Sequence, residues 1–213
     1  MITDLDNASK IAEYLLQIKA IKLQPNDPFT WSSGWKSPIY CDNRKTLSYP
    51  NVRTFIRQSY TQAILDEFGK PDVIAGVATG GIAQGVLVAQ ELGIPFVYVR
   101  SSAKGHGLQN MIEGHFEEGQ SVVVIEDLIS TGGSSLKAVE ALRDGGLSVK
   151  GVVAIFSYGF QQAVDAFKAS NCPLVVLSNY DVLIDKALAQ GAIGERDMNS
   201  LKDWRAAPDM WNK

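Results

Sequence analysis

The stretch from Val122 to Ser135 reads VVVIEDLISTGGSS, and it decides both the fold class and the expected site. Its four leading apolar residues, Val122–Ile125, predict a buried strand. Two adjacent carboxylates, Glu126 and Asp127, follow, and burying such groups costs free energy unless polar partners engage them. The next residues are rich in glycine and hydroxyl groups and lead into a predicted helix. Such a turn offers backbone N–H groups and a positive helix end to a phosphate.

The turn has the composition of a sugar-phosphate site. Thr131 and Ser134 can donate hydroxyl hydrogen bonds, and Gly132 and Gly133 let the backbone approach a ligand closely. The carboxylates would accept hydrogen bonds from vicinal ribose hydroxyls while the turn holds a 5′-phosphate. The alternative is that the acids cap the helix and the glycines only make a tight turn. Because both features lie at one strand end, and the stretch matches neither a nucleotide P-loop nor G-x-G-x-x-G, a sugar-phosphate site is the better interpretation.

Strands and helices alternate on both sides of this stretch. Short apolar runs predict strands at Val73–Val77, Phe96–Val99, Val149–Phe156 and Leu174–Leu177. Amphipathic patterns predict helices at Pro50–Phe68, Ile82–Leu92, Ser134–Arg143, Gln161–Ala169, Asn179–Gln190 and Asp197–Ala206, and an opening helix through Ile11, Leu15 and Ile18 with Asp6, Asn7 and Ser9 as cap candidates. The pattern predicts an α/β fold whose central, mostly parallel sheet carries helices on both faces. We expect ligands beyond the carboxyl ends of its strands.

Two further segments have no regular pattern. Phe29–Arg44 is rich in aromatic residues, Ser, Gly and Pro, and it predicts short strands and turns outside the main sheet. Ser101–Gly119 is expected to be irregular.

The composition is that of a globular protein with a full core. The chain has 213 residues, 46% of them hydrophobic and 20% charged, which suits a single domain. No apolar run reaches the ~18 residues of a membrane span, and the first residues lack a secretory pattern, so we expect a cytoplasmic protein. The net charge of −3 argues against nucleic acid or membrane partners. Cys41 and Cys172 are too few for a disulfide framework or a metal cluster.

The stretch quoted first resembles the phosphoribosyl-diphosphate (PRPP) binding motif of type I phosphoribosyltransferases. The resemblance implies that Glu126 and Asp127 hold the ribose 2′- and 3′-hydroxyls, with Asp127 also counted as catalytic, and that the loop from about Ile129 to Ser134 binds the 5′-phosphate. The implied PRPP-binding residues of this stretch are Glu126, Asp127, Leu128, Ile129, Ser130, Thr131, Gly132, Gly133 and Ser134. It also implies the family fold, with a small N-terminal hood formed mainly by residues 1–48, a core sheet in 70–180 and a C-terminal helical segment in 181–213.

A second segment, Arg100–Gly107 (RSSAKGHG), places three potential cations within seven residues, with glycines at 105 and 107. Such a loop could close over a leaving pyrophosphate and neutralise its charge, whereas a solvated basic loop is the alternative. The segment resembles the catalytic loop of orotate phosphoribosyltransferases, which reaches into the active site of the neighbouring subunit. The resemblance implies a homodimer in which Arg100, Lys104 and His106 contact the diphosphate, with Lys104 and His106 catalytic. Ser101 stands where many relatives carry a second Lys.

A third segment, Gly76–Ile82, again has the order strand, glycine-rich turn, helix. An ordinary tight turn is an equally good interpretation of this pattern alone. The resemblance assigns it as the pyrophosphate loop, with Thr79, Gly80 and Gly81 facing the leaving group through backbone N–H groups. Some relatives carry Lys at the position of Gly80, so backbone groups and Mg²⁺ must take that role here.

The Phe29–Arg44 block resembles the hood that closes over the base. The resemblance implies that Tyr40 and Cys41 line the orotate pocket, with Ser130 as a further contact. Lys36 and Arg44 are cations available to the orotate carboxylate, and a surface position is the alternative for each. This sequence departs from relatives at Ser32, which replaces a Lys, and at Ser157–Gly159, which lacks an Arg.

The expected activity is therefore transfer of the 5-phosphoribosyl group from PRPP to N1 of orotate, giving orotidine 5′-monophosphate and pyrophosphate. Mg²⁺ is the expected cofactor, held mainly by PRPP rather than by protein ligands. A phosphoribosyltransferase acting on a purine or uracil is the nearest alternative. A regulator that keeps the fold for sensing is a more distant one, since no basic face or appended DNA-binding segment is visible.

Overall fold

The structure is a computed structural model that describes residues 2–31, 33–102 and 111–211. In chain order its helices are α1 (Leu5–Gln17), α2 (Pro50–Phe68), α3 (Gly80–Leu92), α4 (Gly133–Asp144), α5 (Gln161–Ala169), α6 (Tyr180–Ala189) and α7 (Glu195–Ala206), with a 3₁₀ helix at Asn43–Ser48. Its strands are β1 (Ile21–Leu23), β2 (Phe29–Thr30), β3 (Lys36–Ser37), β4 (Ile39–Cys41), β5 (Val73–Val77), β6 (Phe96–Val99), β7 (Ile112–Glu113), β8 (Ser121–Ile129), β9 (Ser148–Ser157) and β10 (Leu174–Asn179). None of these helices is long and apolar enough to cross a membrane.

Six strands form the central sheet in the order β10-β9-β8-β5-β6-β7. All neighbours are parallel except β7, which runs antiparallel to β6 at one edge. The predicted α/β class and mostly parallel sheet are therefore confirmed. Because the chain proceeds from β5 to β6 in one direction and later adds β8 on the other side, the strand order reverses between β5 and β8. Ligands of open α/β sheets bind at such a switch point.

Helices cover both faces of the sheet, as predicted. Alternate residues of each strand point to opposite faces. On one face Ile74 and Val123 pack in a core with α1, α2, α3, α6 and α7. On the other face Val73 and Val122 pack with α4 and α5.

The structure corrects the predicted end of the strand that carries the acids. The apolar run predicted a strand from Val122 to Ile125, but β8 continues to Ile129. The extension forms because β9 is long enough to pair with it, through Leu128 with Phe156 and onward to Ile129. The two acids therefore lie within a strand rather than after it.

Two smaller predictions are also corrected. Helix α1 is capped by Asp4, whose side chain accepts a hydrogen bond from the Asn7 backbone, and not by the later residues proposed as caps. The segment expected to be irregular contributes β7 to the sheet edge, although residues 103–110 lie outside the described part of the chain.

The segment between α1 and α2 forms a small layer beside the carboxyl end of the sheet. Its strands pair antiparallel in two ribbons, β1 with β4 and β2 with β3, outside the main sheet as predicted. Aromatic contacts join this layer to the core: the Trp31 ring lies 5.2 Å from Tyr158 and 5.6 Å from Trp204, between ring centroids. The indole N–H of Trp204 also donates to the Lys36 carbonyl at 3.2 Å. Helix α7 thereby contributes to holding the layer over the sheet.

Candidate active site

The turns after β5 and β8 meet at the switch point. The carboxylate of Asp127 lies so close to Gly80 that any side chain at position 80 would collide with it. A side chain at Gly81 would likewise collide with the carbonyl oxygen of Ile125. The Ala78–Thr79 peptide between β5 and these glycines is cis. Two of the predicted site segments are therefore in direct contact.

Glu126 uses both carboxylate oxygens inside the protein. Its Oε1 accepts a hydrogen bond from the Asp127 backbone N–H at 3.0 Å, and its Oε2 accepts one from the Ser135 hydroxyl at 3.0 Å. Its residue surface is only 5% exposed. The side chain therefore joins the end of β8 to the first turn of α4.

Burial also changes the ionisation of the acid pair. Removal from water, and then the negative charge of Asp127, raise the pKa of Glu126 from its ordinary 4.5 to about 8. Burial raises the pKa of Asp127 as well, while hydrogen bonding with Glu126 and the positive charge of Arg44 oppose that rise. The pair therefore retains a proton more readily than two solvated carboxylates would.

The backbone of the acid pair is held from two sides. The Tyr60 hydroxyl, from α2, donates to the carbonyl oxygen of Glu126 at 2.6 Å. The Asn43 side-chain amide, from the 3₁₀ helix, donates to the carbonyl oxygen of Asp127 at 2.6 Å. Tyr60 and Asn43 are both buried. Each of the two consecutive carbonyls therefore has a side-chain partner from a different element.

The turn from Ser130 to Gly132 leads into α4. Gly132 has φ +84°, a backbone conformation that glycine adopts readily, and its Cα packs near the Phe167 ring. No described side chain caps α4, and Gly133 and Ser134 at its start are exposed. The first turn of the helix therefore offers backbone N–H groups to an anion.

A cavity of about 740 Å³ lies beside this turn. Its wall on the small layer consists of Thr30, Trp31, Ser33, Trp35, Tyr40 and Cys41, and its wall on the sheet consists of Leu128, Ser130, Thr131, Tyr158 and Gln162. We call this space the base cavity. Aromatic rings line it on several sides, and none of the described residues in its wall is Lys, Arg or His.

The predicted cationic residues lie outside the cavity wall. Lys36 is exposed and donates to the Thr30 hydroxyl at 2.9 Å. Arg44 is exposed and pairs with Asp42 at 2.6 Å. Arg100 lies at the end of β6 and contacts Glu113 at 3.4 Å. Lys104 and His106 lie outside the described residues.

Several lining and supporting residues could not be identified from the sequence. Trp31 and Trp35 both line the cavity, and Trp31 also packs against aromatic neighbours. Gln162 belongs to the first turn of α5, which no motif marks as functional. Asn43 and Tyr60 are separated from the acids by 84 and 66 residues, and no local pattern links them.

The donor groups at the acid pair are oxygen atoms, which suit Mg²⁺. No cluster of three or more His, Cys, Asp or Glu side chains that could hold a metal ion occurs among the described residues. The cysteines Cys41 and Cys172 are both free thiols.

The comparisons with known proteins agree on one family. A family model described as the phosphoribosyl transferase domain matches residues 46–185. An orotate phosphoribosyltransferase of Bacteroides thetaiotaomicron is 61% identical over 201 residues, covering 94% of this chain and 95% of the relative. One of Listeria innocua is 54% identical over 204 residues, covering 96% and 98%. The crystal structure of the orotate phosphoribosyltransferase of Aeropyrum pernix has a TM-score of 0.75 at 28% identity and covers 86% of this chain and 99% of its own.

Proposed function

This chain belongs to the orotate phosphoribosyltransferase family, and from that premise we propose how its residues transfer the 5-phosphoribosyl group of PRPP to N1 of orotate. The products are orotidine 5′-monophosphate and pyrophosphate, a step of UMP synthesis. The observation that carries the proposal is that the base cavity and the turn before α4 share Ser130 and Thr131. A base in the cavity and a phosphate on α4 would therefore lie on either side of the ribose, whose C1 atom forms the new bond.

The acid pair would orient the ribose. Asp127 lies beside the pyrophosphate loop, so it would accept hydrogen bonds from the ribose hydroxyls. The backbone of Ala78–Gly81 would face the leaving diphosphate. Displacement at C1 develops positive charge on the ribose ring and negative charge on the leaving oxygens, and pre-positioned groups of opposite charge stabilise both.

Mg²⁺ would arrive with PRPP, and the Asp127 carboxylate would be available to it as an oxygen ligand. When bound, the ion neutralises charge on the leaving diphosphate. The chain itself binds the phosphate at α4, orients the ribose at β8 and encloses the base between aromatic rings.

Orotate is an anion, yet the described wall of the base cavity is uncharged. Hydroxyl and amide donors such as Ser130 and Gln162 would therefore recognise its carboxylate and carbonyl groups, with Lys36 and Arg44 outside the wall attracting it at longer range. Loss of orotate absorbance on mixing with PRPP and Mg²⁺ tests this, with adenine, hypoxanthine and uracil as controls. Turnover of another base in place of orotate would overturn the specificity and leave the family unchanged.

We also propose a homodimer, located in the cytoplasm, in which Arg100, Lys104 and His106 act on the partner's PRPP. Mixing a Lys104→Ala protein with an Asp127→Ala protein should then restore part of the activity, because each mixed dimer keeps one intact site. The two variants assayed apart are the controls. Absence of recovery in dimers shown to exchange subunits would mean that the loop serves its own chain.

A further inference from the structure

Strand β8 extends beyond its neighbour β5 in the region where the turns after these two strands meet. The last register pair between them joins Gly76 to Ile125, whereas β8 continues to Ile129 with β9 as its partner on the other side. Backbone groups of this extension that face β5 therefore lack a strand partner. An unpaired buried carbonyl costs free energy, so another group is expected to pair with it. The side-chain amide of Asn43 does so for Asp127, at 2.6 Å.

Asn43 is itself fixed in place. Its Oδ1 accepts a hydrogen bond from the Cys41 thiol at 3.2 Å, which orients the amide N–H₂ toward Asp127. Its backbone carbonyl accepts one from the Thr46 hydroxyl at 2.6 Å, and that hydroxyl accepts one from the side chain of Gln84 at 3.0 Å. Asn43, Thr46 and Gln84 are each at most 1% exposed. The hydrogen bonds on both sides of Asn43 therefore restrict the orientation of its side chain.

The network joins the parts of the site that must act together. Cys41 lines the base cavity, Gln84 belongs to the helix that follows the pyrophosphate loop, and Asp127 lies at the predicted ribose position. Asn43 contacts both the cavity wall and the acid-bearing strand. Its amide therefore determines where the Asp127 main chain lies relative to the base.

We propose that Asn43 is a positioning residue for the transfer reaction. Its side-chain amide pairs with the Asp127 carbonyl at the point that β5 does not reach, and it thereby holds Asp127 in position to bind PRPP. The inference rests on the proposed function for the identity of the ligand. It predicts an effect on PRPP and little effect on the base, because the replacement of Asn43 by Leu, a side chain of similar size, removes the N–H group without adding charge. The Cys41 thiol also loses its acceptor in this variant, but a thiol is only a weak donor.

The decisive variant is Asn43→Leu, with Asn43→Ala as a second. We expect both to weaken PRPP binding, measured by calorimetry with Mg²⁺ and without a base, by about tenfold. The unpaired Asp127 main chain would shift to find another partner, and the cost of returning it would fall on PRPP binding. The KM for orotate at saturating PRPP should stay within about twofold in Asn43→Leu. Ser178→Ala is the matched control, because its hydroxyl donates to the Ala8 carbonyl at 2.9 Å and is equally buried, but joins α1 to β10.

The outcomes separate positioning from ordinary stabilisation. Unchanged PRPP binding in both Asn43 variants would overturn the inference. So would an equal loss of PRPP binding in Ser178→Ala, or an equal rise in the KM for orotate in Asn43→Leu, because either would indicate a general loosening of the fold. A wild-type protein that binds PRPP but does not turn over orotate would overturn the proposed substrate and leave the role of Asn43 standing.

Discussion

The turns after β5 and β8 have the same pattern in the sequence, a strand followed by glycines and a helix, but they are built differently. The β8 turn depends on side chains: Glu126 bonds to Ser135 across the turn, and Gly133 has open space around it. The β5 turn depends on the absence of side chains, because Gly80 and Gly81 pack directly against β8. Glycine in the β8 turn permits a positive φ and leaves the backbone exposed. Glycine in the β5 turn permits contact between the two turns.

The largest expected effect concerns the β8 turn, which depends on the buried side chain of Glu126. Burial raises the pKa of Glu126 to about 8 from 4.5, so between these pH values the folded protein binds more protons than the unfolded chain. The free energy of unfolding should therefore be greatest near pH 5, fall as the pH rises to about 8, and stay constant above pH 8. Asp127 shifts in the same direction and adds to the fall. The total change should amount to a few kcal/mol.

Urea unfolding of the ligand-free protein at several pH values measures this decrease in unfolding free energy, and the Glu126→Gln variant should lose most of the decrease. Glu13→Gln is the matched control, because Glu13 is paired with Lys186 at 3.0 Å and that pairing lowers its pKa. Its removal should leave the fall in place. A wild-type stability that does not change between pH 5 and 8, or an unchanged slope in Glu126→Gln, would mean that the acid pair is solvated rather than buried.

The extent to which this site follows from the sequence can be explained residue by residue. The apolar run Val73–Val77 and the helix Pro50–Phe68 were predicted with the bounds that the structure has, because local periodicity and Pro50 at the helix start define them. Local pattern could not show that β8 passes through Glu126 and Asp127, since that extension depends on pairing with β9.

The partners of the acids were beyond sequence reasoning for a similar reason. Asn43 and Tyr60 reach the acid pair from distant parts of the chain, and neither belongs to a recognisable motif. The family resemblance implies chemical roles for the turns but not their contact, which only the packing of Gly80 on Asp127 reveals. Of the segments that the sequence predicted for the site, the structure shows that the turns after β5 and β8 meet, and it adds which groups hold them together.

A smaller effect concerns the β5 turn, which depends on close packing of its glycines against β8. Gly81→Ala places a methyl group against the carbonyl of Ile125, a backbone atom that cannot rotate away, so we expect a loss of about 2 kcal/mol in unfolding free energy. Gly133→Ala is the matched control: nothing lies within 4 Å of its added carbon, and we expect a change within about 0.5 kcal/mol. Urea unfolding of both variants at one pH measures the difference. Equal stabilities would mean that the two turns can separate without cost, and the Asp127 carboxylate would then no longer be held by its contact with Gly80.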